Sequence, residues 1–146
     1  MTNRIFIGSD HGGFELKETM KSLLKDENYS IEDLGTYSTD SVDYPKIAQN
    51  LCNKVLETGD FGILICGTGL GMSMAANKIK GIRAALCSES YSSKMAREHN
   101  NANILCMGGR VTGPNLALEI AKTFIETPFE GGRHERRVQM LEPEDK

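Results

Sequence analysis

The sequence predicts an α/β domain built on a parallel sheet with helices on both faces. Three observations carry this. Short apolar runs alternate with segments of helical spacing along most of the chain. The run Phe61-Gly62-Ile63-Leu64-Ile65 is apolar on both faces, as a central strand of a parallel sheet must be. Glycine-rich turns, Gly8-Ser9-Asp10-His11-Gly12-Gly13 and Gly67-Thr68-Gly69-Leu70-Gly71, follow two of the apolar runs, where a strand hands over to a helix.

The elements follow in order. Arg4-Ile5-Phe6-Ile7 reads as a first strand, and Leu16, Met20, Leu23 and Leu24 then keep helical spacing. Tyr29 to Leu34 is a second strand. Ile47, Leu51 and Val55 mark a helix opened by Asp43-Tyr44-Pro45, where proline suits the first turn. Phe61 to Ile65 is the third strand, and a helix-like segment follows its glycine turn. Ile82 to Cys87 is a fourth strand, Ser88 to His99 a helix, Asn103 to Met107 a fifth strand, and Leu116, Ile120, Phe124 and Ile125 a further helix. The whole is a Rossmann-like sheet of five parallel strands. Beyond Pro128 the pattern changes. Gly131-Gly132 forms a hinge, and Arg133 to Leu141 a short basic helix, so that residues from about 129 to 146 form an arm able to dock on its own domain or on a partner subunit.

A length of 146 residues suits one domain spanning 1–146. A formal net charge of -3 gives no general reason to expect nucleic acid or an anionic membrane as a partner. Trp is absent and aromatics are few, which disfavours a stacking surface for single strands. No apolar run approaches the ~20 residues that span a bilayer, and the first residues do not read as a signal peptide. A cytoplasmic protein is the expectation. The four cysteines, Cys52, Cys66, Cys87 and Cys106, show no CxxC spacing, and the three histidines show no zinc spacing, so neither a disulfide framework nor a metal is expected.

In an open parallel sheet, ligands bind outside the carboxyl ends of the strands. That rule gathers Asp10 and His11, the segment Cys66 to Gly71, and Gly108-Gly109-Arg110. His99 and Asn100 precede the fifth strand and reach such a site only through the loop before it. The glycine loop fails as a dinucleotide fingerprint at Met72 and as a P-loop for want of GK[ST]. It remains a tight turn, or a nest of backbone amides for negative charge. Cys66 is either a small buried residue or, beside a helix start that favours thiolate, a nucleophile or base. Cys87 and Cys106 lack the glycine loop and read as packing residues.

Asp10 and His11 are a helix cap in a solvated loop, or a carboxylate and imidazole for proton transfer and anion contact. His99-Asn100-Asn101 reads as a helix C-cap unless it serves the site. His134 reads as a surface residue. Arg133 and Arg137, at i and i+4, share a helical face and can clamp a phosphate, although spacing alone does not prefer Arg137 to Arg136. Arg110 is a third candidate.

These segments, GSDHGGFELK at 8–17, DLGTYSTDSVDYP at 33–45, GILICGTGLGMSMAANKIKGIRAALCSE at 62–89, REHNNANILCMGGR at 97–110 and FEGGRHERRV at 129–138, occur in one chain. In them the sequence resembles the type B ribose-5-phosphate isomerases, whose family includes the galactose-6-phosphate isomerase subunits. The resemblance implies a Rossmann-type fold, a homodimer or homotetramer with active sites at the subunit boundary, and an arm crossing to the neighbour. It implies no metal and no cofactor. It implies interconversion of ribose 5-phosphate and ribulose 5-phosphate through a cis-enediolate. By this resemblance Cys66 is the base and Gly67, Thr68, Gly69, Leu70 and Gly71 form the loop that stabilises the enediolate. Thr68 and His99, with Asp10 nearby, assist ring opening. His11, Arg133 and Arg137 hold the phosphate, Arg110 joins them across the interface, and Tyr44 and Asn100 bind the sugar.

Two other readings stand beside it. One is a six-carbon substrate, allose or galactose 6-phosphate, with sugar length set by the loop between Leu34 and Tyr44. The other is a non-catalytic nucleotide-binding module, against which Met72 and the missing lysine argue.

Overall fold

The structure, a computed structural model, describes residues 4–142. Strands β1 (Arg4–Ser9), β2 (Ser30–Asp33), β3 (Phe61–Cys66), β4 (Ala84–Leu86) and β5 (Ile104–Gly108) pair in parallel in the order β2-β1-β3-β5-β4. Between and after them come helices α1 (Phe14–Asp26), α2 (Tyr44–Thr58), α3 (Leu70–Ala76), α4 (Ser90–Glu98), α5 (Pro114–Glu126) and α6 (Arg133–Gln139). Residues 1–3 and 143–146 of the expected domain lie outside the described residues.

Alternation along the central strands explains the layers. Ile5, Ile7, Ile63, Ile65, Leu105 and Met107 face one side, where α1, α4 and α5 cover them with Leu16, Met20, Leu24, Ala96, Ile120 and Phe124. Phe6, Leu64, Cys66, Ile104 and Cys106 face the other, against Ala48, Leu51, Cys52 and Val55 of α2 and Met72 and Ala76 of α3. β3 lies between β1 and β5 and is apolar on both faces because it is covered on both.

Helix boundaries follow local chemistry. Proline stands in the first turn of α2, and Gly59, at φ 77°, closes that helix with its amide on Val55 O at 2.8 Å. The fourth strand is shorter than its apolar run. The Ile82 amide closes a turn on Ile79 O at 3.1 Å, which leaves Ala84–Leu86 to pair with β5. Among the described residues no helix is long and apolar enough to cross a membrane.

One polar feature fixes the β2 end of the sheet. Lys17 of α1 is 0% exposed, yet its Nζ donates to Asp33 Oδ1 at 2.7 Å and Oδ2 at 2.6 Å. Lys21 donates to the same carboxylate at 2.8 Å, and the Gly35 amide at 2.9 Å. Burial alone would raise the Asp33 carboxyl, but these donors together hold it below the usual carboxylate range. The segment that leads to Tyr44 therefore starts from a fixed point.

Candidate active site

The strand order reverses between β1 and β3, so the loops that leave them diverge and open a crevice at the carboxyl edge. The register aligns Ser9 with Ile65 and Cys66 with Gly108. Backbone hydrogen bonds then stitch three loops together: Asp10 N to Ile65 O at 3.2 Å, Gly109 N to Cys66 O at 2.8 Å, and Arg110 N to Gly67 O at 3.0 Å. Glycine is required where they touch. A Cβ on Gly108 would lie 2.8 Å from the Thr68 carbonyl, and Gly69 has φ 84°.

Cys66 ends β3 and is 6% exposed. The Gly69 amide donates to its sulfur at 3.1 Å. Leu70 N donates to Thr68 Oγ1 at 3.3 Å. The amides of Gly69 and Leu70 are thus engaged within the turn itself. The other thiols differ. Burial pushes Cys52 up to about 12, and burial together with the Glu89 carboxylate pushes Cys87 up to about 11. Cys106, in mid-strand, is raised well above the ordinary thiol value by burial and by the other cysteines.

The neighbouring candidates converge on this loop. Asp10 is buried, and its Oδ1 accepts from the amides of Gly12 at 2.9 Å and Gly13 at 3.2 Å. It thus ties the entry of α1, as a capping residue does, with its second oxygen left over. The Val42 amide donates to Nδ1 of His11 at 3.3 Å, so a neutral ring carries its proton on Nε2. His11 and Arg110 line a cleft of ≈ 190 Å³ with Gly12, Glu15, Thr39 and Gly109. The Arg110 guanidinium lies within this chain's own cleft, with Nη1 3.1 Å from where a Cβ on Gly67 would stand. Tyr44, the first residue of α2, lays its ring against Gly71, whose missing Cβ would otherwise lie 2.8 Å from it. Glu15 and Thr39 also line this cleft, and no sequence pattern points to them.

The remaining candidates lie elsewhere. α4 runs back from the carboxyl edge, so His99, its C-cap, and Asn100 sit at the amino edge of β5. Arg97 holds this corner, donating to Thr127 O at 3.1 Å and Ala102 O at 2.6 Å with its guanidinium 4.5 Å above the Phe61 ring centre. The arm returns to this edge of its own chain. Glu130 N donates to Glu98 O at 3.0 Å, and Arg83 Nη1 donates to Glu142 Oε1 at 2.9 Å. Arg133 and Arg137 are exposed there. Within one chain, then, Asp10, His11, Tyr44, Cys66 to Gly71 and Arg110 assemble at one end of the sheet. His99, Asn100, Arg133 and Arg137 assemble at the other.

His134 is not a surface residue. It is 7% exposed and stacks on His99, with ring centres 4.2 Å apart and planes 13° inclined. The missed signal is its spacing: His134 and Val138 are i and i+4 on α6, and both are buried. Among the described residues, His99, Glu130 and His134 bring donor atoms within 4.8 Å of one another, a grouping that could hold a metal ion.

Residues 5–141 match the family model described as Ribose/Galactose Isomerase. The chain belongs to the ribose/galactose isomerase family. A solved ribose 5-phosphate isomerase of Thermotoga maritima is 54% identical to this family member, with TM-score 0.93 over 95% of this chain and 97% of that one. Ribose-5-phosphate isomerase B of Escherichia coli (strain K12) is 44% identical over 139 residues, 94% of this chain and 93% of the relative. Ribose-5-phosphate isomerase B of Mycoplasma genitalium, solved with bound ribulose 5-phosphate, is 42% identical with TM-score 0.89, over 94% of this chain and 93% of that one. The Rossmann-like parallel sheet expected of the family is the fold observed.

Proposed function

We propose that this chain is an aldose–ketose isomerase that interconverts ribose 5-phosphate and ribulose 5-phosphate through a cis-enediolate. It acts as one catalytic domain whose active site is completed by a second copy. The observation that carries this reading is the Gly69 amide donating to the Cys66 sulfur at 3.1 Å, beside the cleft that holds His11 and Arg110. Family membership and the named relatives support the substrate.

The chemistry follows from the site. A proton next to a carbonyl is weakly acidic, and its removal places charge on oxygen. Cys66 thiolate takes the C2 proton of the open-chain aldose. The enediolate oxygen lies against the backbone amides of the Gly67–Gly71 loop, donors of a kind typically worth ~3–4 kcal/mol each in the transition state. A proton passes from the C2 hydroxyl oxygen to the C1 oxygen, and the thiol returns its own proton to C1, giving the ketose. His11, through Nε2–H, and Arg110 bind the phosphate, whose remote binding energy positions the reacting carbons. Tyr44 packs beside the sugar.

Ring opening needs a group that moves a proton between the anomeric hydroxyl and the ring oxygen. Thr68 and the second oxygen of Asp10 are local candidates. His99 of a second copy is the third, and with it would come Asn100, Arg133 and Arg137. Leu70 and Met74 on α3 and Leu86 on β4 are 49%, 64% and 39% exposed and flank the Cys66 loop, an apolar surface suited to that copy. A homodimer is the smallest assembly that meets this need. The four free, buried cysteines suit a reducing cytoplasm, where such an enzyme serves pentose phosphate metabolism.

The test is turnover of ribose 5-phosphate by purified protein, with allose 6-phosphate alongside. The expected result is the higher kcat/KM on the five-carbon sugar, and a fall of about 10² to 10⁴ in Cys66→Ala with circular dichroism unchanged. Undiminished turnover in Cys66→Ala would remove the cysteine from the mechanism. A reversed preference would move the substrate to the six-carbon class.

A further inference from the structure

We propose that His99, Glu130 and His134 form a binding site for a divalent cation of the zinc class. Three separate stretches of chain build it. His99 is fixed as the C-cap of α4 by its amide on Met95 O at 2.9 Å. Glu130 is tied to the same helix end by its amide on Glu98 O at 3.0 Å. Between Glu130 and α6 the chain turns through Gly131 and Gly132, at φ 71° and 57°, conformations that glycine adopts freely. This turn brings His134 back against Glu130 and over the His99 ring.

The distances fit a small ion. His134 Nε2 lies 3.5 Å from Glu130 Oε1. Ligands at about 2.0–2.2 Å in tetrahedral array stand roughly 3.4 Å apart, so this pair already has the spacing of two zinc ligands. The whole set spans no more than 4.8 Å. The side chain of Glu130 is 53% exposed and can close on the ion, and the half-buried His99 binds by turning its ring out of the stack, because lone pairs in two near-parallel ring planes do not converge on one point.

An independent observation points to the ligand. His134 Nε2 is buried without a hydrogen-bond partner, on a side chain only 9% exposed and directed at Glu130. A buried polar atom left unmet is costly, and a cation held by the imidazoles and the carboxylate would satisfy it. Two imidazoles and one carboxylate select a borderline metal such as zinc over magnesium or calcium, which prefer all-oxygen shells. The exposed carboxylate gives the ion an entry path from solvent, and a fourth position stays open to water.

One consequence rests on the function proposed above. An ion on His99 withdraws that ring from ring opening in the neighbouring copy, so zinc acts as a reversible inhibitor.

The experiment titrates the full-length protein with Zn²⁺ against a chromophoric chelator, and with Co²⁺ read by its visible absorption. The expected result is one ion per chain, with affinity reduced at least about tenfold in Glu130→Gln and in His134→Asn. Because Glu130 is exposed, Glu130→Gln retains the fold, and its thermal midpoint in EDTA should match the wild type. Zn²⁺ should raise Tm in the wild type and not in Glu130→Gln. Cys66→Ala should bind as the wild type does. Absence of saturable binding overturns the site, and so does binding that survives in Glu130→Gln and disappears in Cys66→Ala. Bound zinc with undiminished turnover upholds the site and overturns the part given to His99 in the reaction.

Discussion

The Gly69 amide donates to the Cys66 sulfur at 3.1 Å across the turn that joins β3 to α3. A positive φ at Gly69 aims that amide back at the strand end. Cys66 is therefore set apart from the three other thiols, which burial holds in the protonated form. A small alkylating reagent should modify Cys66 first, leaving Cys52, Cys87 and Cys106 untouched until the protein unfolds. Peptide mass spectrometry over a time course measures this. Equal labelling of all four sites would show that the turn confers no selectivity.

The phosphate end calls for a different signature. Arg110 stands in the cleft with His11. A charge-assisted contact to phosphate holds ground state and transition state alike. Its loss in Arg110→Ala should raise KM by roughly 10- to 100-fold with kcat little changed. Steady-state kinetics on ribose 5-phosphate decide. A fall in kcat at constant KM would put Arg110 in the chemical step instead.

The two groups of polar residues at opposite edges of the sheet give a test of the shared site. Cys66→Ala and His99→Asn should each be nearly inactive alone. In a mixture allowed to exchange subunits, half of the dimers are mixed. Each mixed dimer holds one intact site, made from Cys66 of one copy and His99 of the other. Activity should recover to about a quarter of the wild type under two-fold symmetry. No recovery after demonstrated exchange would confine the active site to one chain.

Much of this architecture is legible in the sequence, for reasons that particular residues show. Ile63 and Ile65 enter one layer and Leu64 and Cys66 the other, so an uninterrupted apolar run marks the covered strand. Asp10 and Cys66 follow from strand order alone, because residues just past parallel strands share one edge. What escapes the sequence is set by distant partners. His134 looks like one charge among many in a helix of only seven residues, too short for periodicity to speak. Lys17 lies three residues before Met20 and seven before Leu24, on the apolar stripe of α1, but its burial makes sense only once Asp33 is beside it. The separation of His99 from Cys66 is foreshadowed by its place before the fifth strand, and the direction of α4 fixes it.

That buried lysine gives the last prediction. Among the described residues, Asp33→Asn leaves Lys17, 0% exposed, with the half-buried Glu18 carboxylate at 3.3 Å as its remaining anion, beside the Phe14 and Tyr37 rings. Removing one partner of a buried pair typically costs about 3 kcal/mol or more, measured here by urea denaturation at pH 7. The pH dependence has a definite sign. Burial acting alone would raise the Asp33 carboxyl, but the hydrogen bonds from Lys17 and Lys21 and the Gly35 amide bring it below its ordinary value of 3.8. A depressed carboxyl contributes its full stability above the unfolded value and loses it as the pH falls through the folded one. The gap between wild type and Asp33→Asn should therefore be constant from neutral pH down to about 4 and should narrow below it. Lys17→Met, which removes the buried charge along with its partner contact, should cost less than Asp33→Asn, because Lys21 and Gly35 still satisfy the carboxylate. If the gap widened in acid, Asp33 would not be ionised in the folded protein, and the fixed point that orients the segment to Tyr44 would need another cause.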